Sequence, residues 1–178
     1  MQRLVEDLIS LSRIEAERFS VPTESIALLP LIDEARRACS TSAAEHGSTI
    51  ELDVPPDLPP VIGDRSQILQ IIENLISNSI RYGRPGTPIH VKATPDRSMV
   101  HLSVRDEGEG IAPEHIPRVT ERFYRIDPSR SRAQGGTGLG LSIVKHIVER
   151  HRGRLRIASR LGEGTTVHVL LPVADTLS

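Results

Sequence analysis

Residues 71–83 read IIENLISNSIRYG: an apolar helical pattern with two asparagines, Asn74 and Asn78, four positions apart. Asparagine is a weak helix former because its side chain offers the backbone competing hydrogen bonds, and a buried amide without partners is costly. On a helical wheel Asn74, Asn78 and Arg81 form one polar stripe, while Ile68, Ile72, Leu75 and Ser79 form a neighbouring stripe that faces a core. The polar stripe therefore lines something polar. An amide oxygen is a neutral hard ligand that suits Mg²⁺ already holding phosphates and waters, and Arg81 one turn on reaches the same phosphates. Taken alone, the helix fits better a pair of amides bonded to neighbouring backbone.

Working outward, Asp64 and Gln67 have capping-box spacing at the start of this helix. Upstream, residues 1–19 place Met1, Leu4, Leu8 and Leu11 at three- and four-residue steps, with Val5, Ile9 and Ile14 widening the stripe, which predicts an amphipathic helix. It has too few heptads to stand alone and needs a helical partner. SVPTES breaks the pattern, and a second helix is expected from about Pro30 to Gly47, followed by a strand in TIELDV. Downstream, PIHVKAT and MVHLSVRD read as strands joined by a tight PDRS turn. An irregular stretch from Glu107 to Gly138 leads into the helix LGLSIVKHIVERH, and the strands RLRIAS and TTVHVLL close the order. The expected class is α/β: a two-layer sandwich of a mixed, mostly antiparallel sheet with helices on one face, preceded by one amphipathic helix. The expected division is 1–20 and 21–178.

Composition narrows the partners. The 178 residues hold 38% hydrophobic side chains, enough for one core, and 22 basic against 23 acidic residues. With only two Tyr and two Phe for base stacking, nucleic acid is excluded as a partner class. Cys39 stands alone, which rules out an internal disulfide and a thiolate cage and fits a reducing compartment. No apolar run reaches spanning length, and Glu6, Asp7, Glu15 and Glu17 fall where a signal peptide is uncharged, so no membrane contact and a cytoplasmic setting are expected.

Two further stretches carry chemistry. In RDEGEGI, Asp106 at a strand end can accept from an exocyclic amine such as adenine N6, and Gly108 and Gly110 remove bulk beside a flat base; a plain Asx-type glycine turn fits the same residues. In GGTGLGLSIVK, Gly135, Gly136, Gly138 and Gly140 lead into a helix whose N-terminal amides suit phosphate, although no Walker loop is present. Of the seven histidines, His90, His101 and His168 read as exposed strand residues, and His146 and His151 are five apart, the wrong spacing for a shared metal.

In order and spacing these stretches, with ERFYR between the last two, resemble the catalytic and ATP-binding domain of bacterial sensor histidine kinases over roughly residues 25–173. Asn74 to Tyr82 is similar to the family's N box, Asp106 to Gly110 to its G1 box, Glu121 to Arg125 to its F box and Gly136 to Leu141 to its G2 box. The resemblance implies the sandwich fold shared with gyrase-type and chaperone ATPases, with ATP and Mg²⁺ as cofactors. It assigns Mg²⁺ to Asn78, the adenine amine to Asp106, the base walls to Tyr82 and Ile111, and the phosphates to Arg81 and Arg125, which serve catalysis. Asn74, Gly108, Gly110, Gly136, Thr137, Gly138, Leu139, Gly140 and Leu141 complete the implied nucleotide contacts, and IDPSRSRAQGGTG is the implied lid. Residues 1–19 resemble the second helix of the family's dimerisation and phosphotransfer hairpin. The expectation is then a piece of a longer, membrane-anchored, homodimeric kinase that phosphorylates a histidine outside this chain for relay to a response regulator. None of the seven histidines has the His-Glu-Pro context of the family's acceptor. The chain departs from the family at Arg81, where lysine is usual, and at Thr120, where an aromatic is usual. Hydrolysing relatives carry a glutamate where this chain has Asn74, which cannot take a proton; Glu73 points about 100° away.

Overall fold

The computed structural model describes residues 2–17, 20–125 and 138–174. The asparagine-bearing helix, α4 (Arg65–Tyr82), is the centre of the helical layer. It packs between α2 (Leu28–Ala38) and α5 (Gly140–Arg150), and α1 (Gln2–Ala16) lies against α5. Ile68, Ile72, Leu75 and Ser79 are all buried, as the wheel required.

Beneath these helices lies a five-stranded sheet. Its strands are β2 (Ile50–Asp53), β4 (Ile89–Asp96), β5 (Met99–Asp106), β6 (Arg154–Arg160) and β7 (Gly164–Pro172), in the order β2-β4-β5-β7-β6. Only the β2–β4 pairing is parallel. Alternation decides the faces: Val91, Ala93, Leu102, Val104, Val169 and Leu171 point at the helices and are buried. The other face is open and carries the exposed Lys92, Arg105 and Arg156, while Arg154 and Arg160 charge the β6 edge against further strand pairing.

Three features depart from expectation. β1 (Glu24–Ile26) and β3 (Val61–Gly63) form a separate antiparallel pair that the sequence pattern did not announce. The helix expected to run to Gly47 breaks at Cys39 (φ −94°, ψ 0°), giving α2 and α3 (Ser40–Glu45), and the Cys39 side chain is buried with its Sγ 4.0 Å from the Glu73 carbonyl oxygen. Burial there pushes the thiol pKa up to about 11, so it is an inert core residue.

The capping box is only half made. Asp64 Oδ1 accepts from the Gln67 amide at 3.2 Å, but the Asp64 N–H donates to His151 Nε2 at 3.0 Å instead of to Gln67. Gln67 is drawn away because its Oε1 accepts from Arg150 at 2.7 Å. The buried Arg150 also donates through Nε to the carbonyls of Glu17 (3.2 Å) and Ser20 (3.0 Å), fixing the end of α1 to the layer. His151 Nδ1 donates to the Ile147 carbonyl at 2.8 Å, so the ring is neutral, and burial lowers its pKa accordingly.

Candidate functional site

A cavity of about 200 Å³ opens between α4, the ends of β5 and β7, and the start of α5. Asn74, Asn78, Arg81, Tyr82, Asp106, Gly110 and Ile111 line it, as do Arg125, Gly138, Gly140 and Leu141. Gly108 and Leu139 are not among its lining residues, and Gly135, Gly136, Thr137 and most of the expected lid fall outside the described residues.

Asp106 anchors one end. Its Oδ1 accepts the Gly108 amide at 2.9 Å, the Thr165 amide also favours its charge, and only 7% of the residue is exposed. Burial outweighs those two bonds and raises the carboxyl pKa to about 6. The two glycines of this turn have a packing reason of their own. A Cβ at Gly108 would lie 2.3 Å from the Tyr82 carbonyl oxygen, and one at Gly110 (φ +78°) would lie 2.0 Å from the Arg160 carbonyl oxygen. Of the two acidic residues in the turn, Glu107 faces His90 at 3.6 Å, whereas Glu109 lines the cavity.

The other end is built from side chains. Asn74 Nδ2 reaches the Gly140 carbonyl at 3.4 Å, and Asn78 Oδ1 accepts from Arg81 at 3.2 Å. Burial, and after it the charge of Arg3, hold the Arg81 guanidinium below its usual pKa. Glu73 does not line this cavity; it opens into an adjoining hollow between α1 and α4, and burial followed by the Glu34 carboxylate raises its pKa. At Gly140 the nearest atom to an added Cβ is Asn78 Oδ1 at 3.7 Å, so α5 starts with open space on the cavity side.

Several lining residues carry no motif: Ile157, Thr165 and Val167 form the sheet floor, and Val119 forms a side wall with the F-box residue Tyr124. Thr165 is the β7 partner of Asp106, so a known strand register would have revealed it. Arg3 and Asp7 reach the cavity from α1 and were not singled out from sequence. His101 and His168 are not plain exposed strand residues: they are half-buried, stacked with centroids 5.0 Å apart and joined by a 2.8 Å hydrogen bond. Among the described residues no cluster of three metal-ligating His, Cys, Asp or Glu occurs.

Residues 63–175 match the family model described as histidine kinase-, DNA gyrase B-, and HSP90-like ATPase. The chain belongs to this family. Within it the chain is a sensor histidine kinase catalytic domain. It is 30% identical to the mycobacterial sensor histidine kinase MprB, whose structure superposes with a TM-score of 0.71, covering 85% of this chain and 97% of that one. Full-length ShkA in complex with AMPPNP superposes with a TM-score of 0.85 at 25% identity, over 99% of this chain and 36% of that one. Among curated relatives, the phosphate regulon sensor protein PhoR of Pseudomonas aeruginosa is 39% identical over 166 residues, which is 93% of this chain and 37% of PhoR. Sensor protein SrrB of Staphylococcus aureus is 36% identical over 172 residues, 97% of this chain and 29% of SrrB. The chain thus spans about a third of the length of these relatives. Among the described residues no helix is long and apolar enough to cross a membrane.

Proposed function

We propose that this domain binds ATP with Mg²⁺ in the cavity and transfers the γ-phosphate to a histidine that is not among the seven of this chain. The observation that carries the reading is the polarity of the cavity: one buried carboxylate at the Asp106 end and amides with guanidinium groups at the Asn74 end. Asp106 accepts from the adenine N6 amine, and Tyr82 and Ile111 flank the base. Arg81 and Arg125 neutralise phosphate charge, and the α5 N-terminus, from Gly138 through Leu139, Gly140 and Leu141, offers backbone amides to the phosphates; Gly136 and Thr137, which the resemblance adds, lie outside the described residues.

The donor set fits Mg²⁺ held mainly by its substrate. Asn78 Oδ1 is one neutral oxygen facing the cavity, and its present partner Arg81 is itself a phosphate ligand that moves off when phosphate arrives. Bound there, Mg²⁺ supplies charge neutralisation between the phosphates. Asn74 holds the start of α5 through Gly140 and, as an amide, cannot deprotonate water, which supports phosphotransfer over hydrolysis. The chain's contribution to catalysis is positioning and electrostatics.

Exposed Val5, Leu8 and Ile9 leave one side of α1 apolar, which supports residues 1–20 as half of a dimerising hairpin in the parent kinase. The relatives named as sensors support a response regulator as the final acceptor and a cytoplasmic setting. Calorimetric titration with ATP, with and without Mg²⁺, tests the reading. Mg²⁺ strengthens binding to the wild type, and Asn78→Ala removes that dependence. Radiolabelled ATP leaves no acid-labile label on the isolated chain and releases little phosphate; brisk hydrolysis would replace the kinase reading with an ATPase one.

A further inference from the structure

The Asn74 end of the cavity has one wall outside the sheet and the catalytic motifs. Arg3 and Asp7, one turn apart on α1, line it, and Arg3 also lines the adjoining hollow with Glu73 and Asn74. The Arg3 guanidinium donates to Ser77 Oγ at 3.2 Å, and Ser77 lies on α4 between Asn74 and Asn78. This is an exposed bond to a neutral hydroxyl, the kind that yields readily to a charged acceptor.

Electrostatics points the same way. Arg3 lies near enough to Arg81 for its charge to count there next after burial, and Arg125 lines the same cavity. Glu109 lines the cavity as well, and an anion entering among the guanidinium groups meets their attraction. Asp7 is the acidic counterweight on the α1 side, and Arg81 senses it less than it senses Arg3. The far half of α1 is secured independently of any ligand, through buried Leu11 and Ile14 and through the Glu17 carbonyl on Arg150. Arg3 is therefore delivered to the cavity by a docked helix.

We propose that Arg3 is a ligand for the terminal phosphate of the nucleotide, so that α1 takes part in triphosphate binding directly. The inference rests on the ATP reading above. The terminal phosphate is specified by direction. With the base at Asp106, the phosphates run along α4 past Asn78 toward Asn74, and Arg3 lies on that side, where the cavity meets the hollow. Arg3 then favours ATP over ADP, and by linkage triphosphate tightens the hold of α1 on the catalytic layer.

The test is calorimetry on the full chain with AMPPNP and with ADP, both with Mg²⁺, using wild type, Arg3→Ala, Arg3→Lys and Ser77→Ala. Arg3→Ala should weaken AMPPNP about 5–20-fold and ADP by less than about twofold, the size expected of a partly exposed charge-assisted contact. Arg3→Lys should recover part of the loss, and Ser77→Ala, which removes only the resting partner, should leave AMPPNP binding undiminished. Equal weakening of both nucleotides, or none, overturns the assignment. A wild type that binds neither nucleotide overturns the ATP reading and this inference with it, whereas normal wild-type binding with an unaffected Arg3→Ala overturns this inference alone.

Discussion

The two ends of the cavity are built by different means. At the Asp106 end, backbone amides hold the carboxylate and glycine turns press against carbonyls of neighbouring segments, so the shape exists before any ligand arrives. At the Asn74 end, long side chains from α1 and α4 hold one another: Arg81 on Asn78 and Arg3 on Ser77. The first end is preorganised by backbone; the second is a set of side-chain charges whose positions depend on rotamers. On the proposed ATP reading, discrimination of the base would fall to the fold itself, and response to the phosphates to rotamers.

The largest effect that sharpens this contrast is on stability. Gly110→Ala places a methyl 2.0 Å from the Arg160 carbonyl oxygen at φ +78° and should cost on the order of 3 kcal/mol or more, read as a shifted urea midpoint. Asp106→Asn should weaken ATP and ADP alike by roughly 10–100-fold, the worth of a hydrogen bond to a charged group. The same variant should raise the stability of the ligand-free protein at pH 7 by roughly 1–3 kcal/mol, because a buried, raised-pKa carboxylate is held ionised there at a cost. A fall in stability would show the base end to be less strained than its burial implies.

The pH dependence follows with opposite signs for fold and ligand. Between the ordinary value of 3.8 and about 6, the folded state holds a proton on Asp106 that the unfolded chain releases. Acidification through that window adds stability from this group, and nucleotide affinity falls as the acceptor is protonated. Thermal melts and titrations between pH 7.5 and 5 check both. The smallest effect belongs to the other end. Gly140→Ala meets nothing nearer than Asn78 Oδ1 at 3.7 Å, so stability should move by no more than about 1 kcal/mol while nucleotide binding weakens. A large loss of stability would break the contrast between the two ends.

What was legible in the sequence follows the range of the interactions. The α4 stripes, the β4–β5 hairpin and the α5 start are written in local periodicity and turn residues, and they placed Asn74, Asn78, Asp106 and Gly140 on the right elements. What escaped is long-range. His151 replaces the reciprocal half of the capping box from 87 residues away, and β1 finds β3 across the whole of α2 and α3. Thr165 reaches the floor only through the β5–β7 register, and Arg3 meets Ser77 only because α1 docks on the layer. The His101–His168 pair, too, exists only once β5 and β7 lie side by side.

Phe123 and Gly138 carry a last consequence. The Phe123 amide donates to the Gly138 carbonyl at 2.9 Å, with Phe123 at φ +63° and Gly138 at φ +77°. The wall that holds Tyr124 and Arg125 is thereby pinned to the residue that leads into α5. A side chain at Gly138, whose Cβ would lie 2.8 Å from the Phe123 Cα, has no room unless that wall and the entrance to α5 part, so one added methyl disturbs two sides of the cavity together.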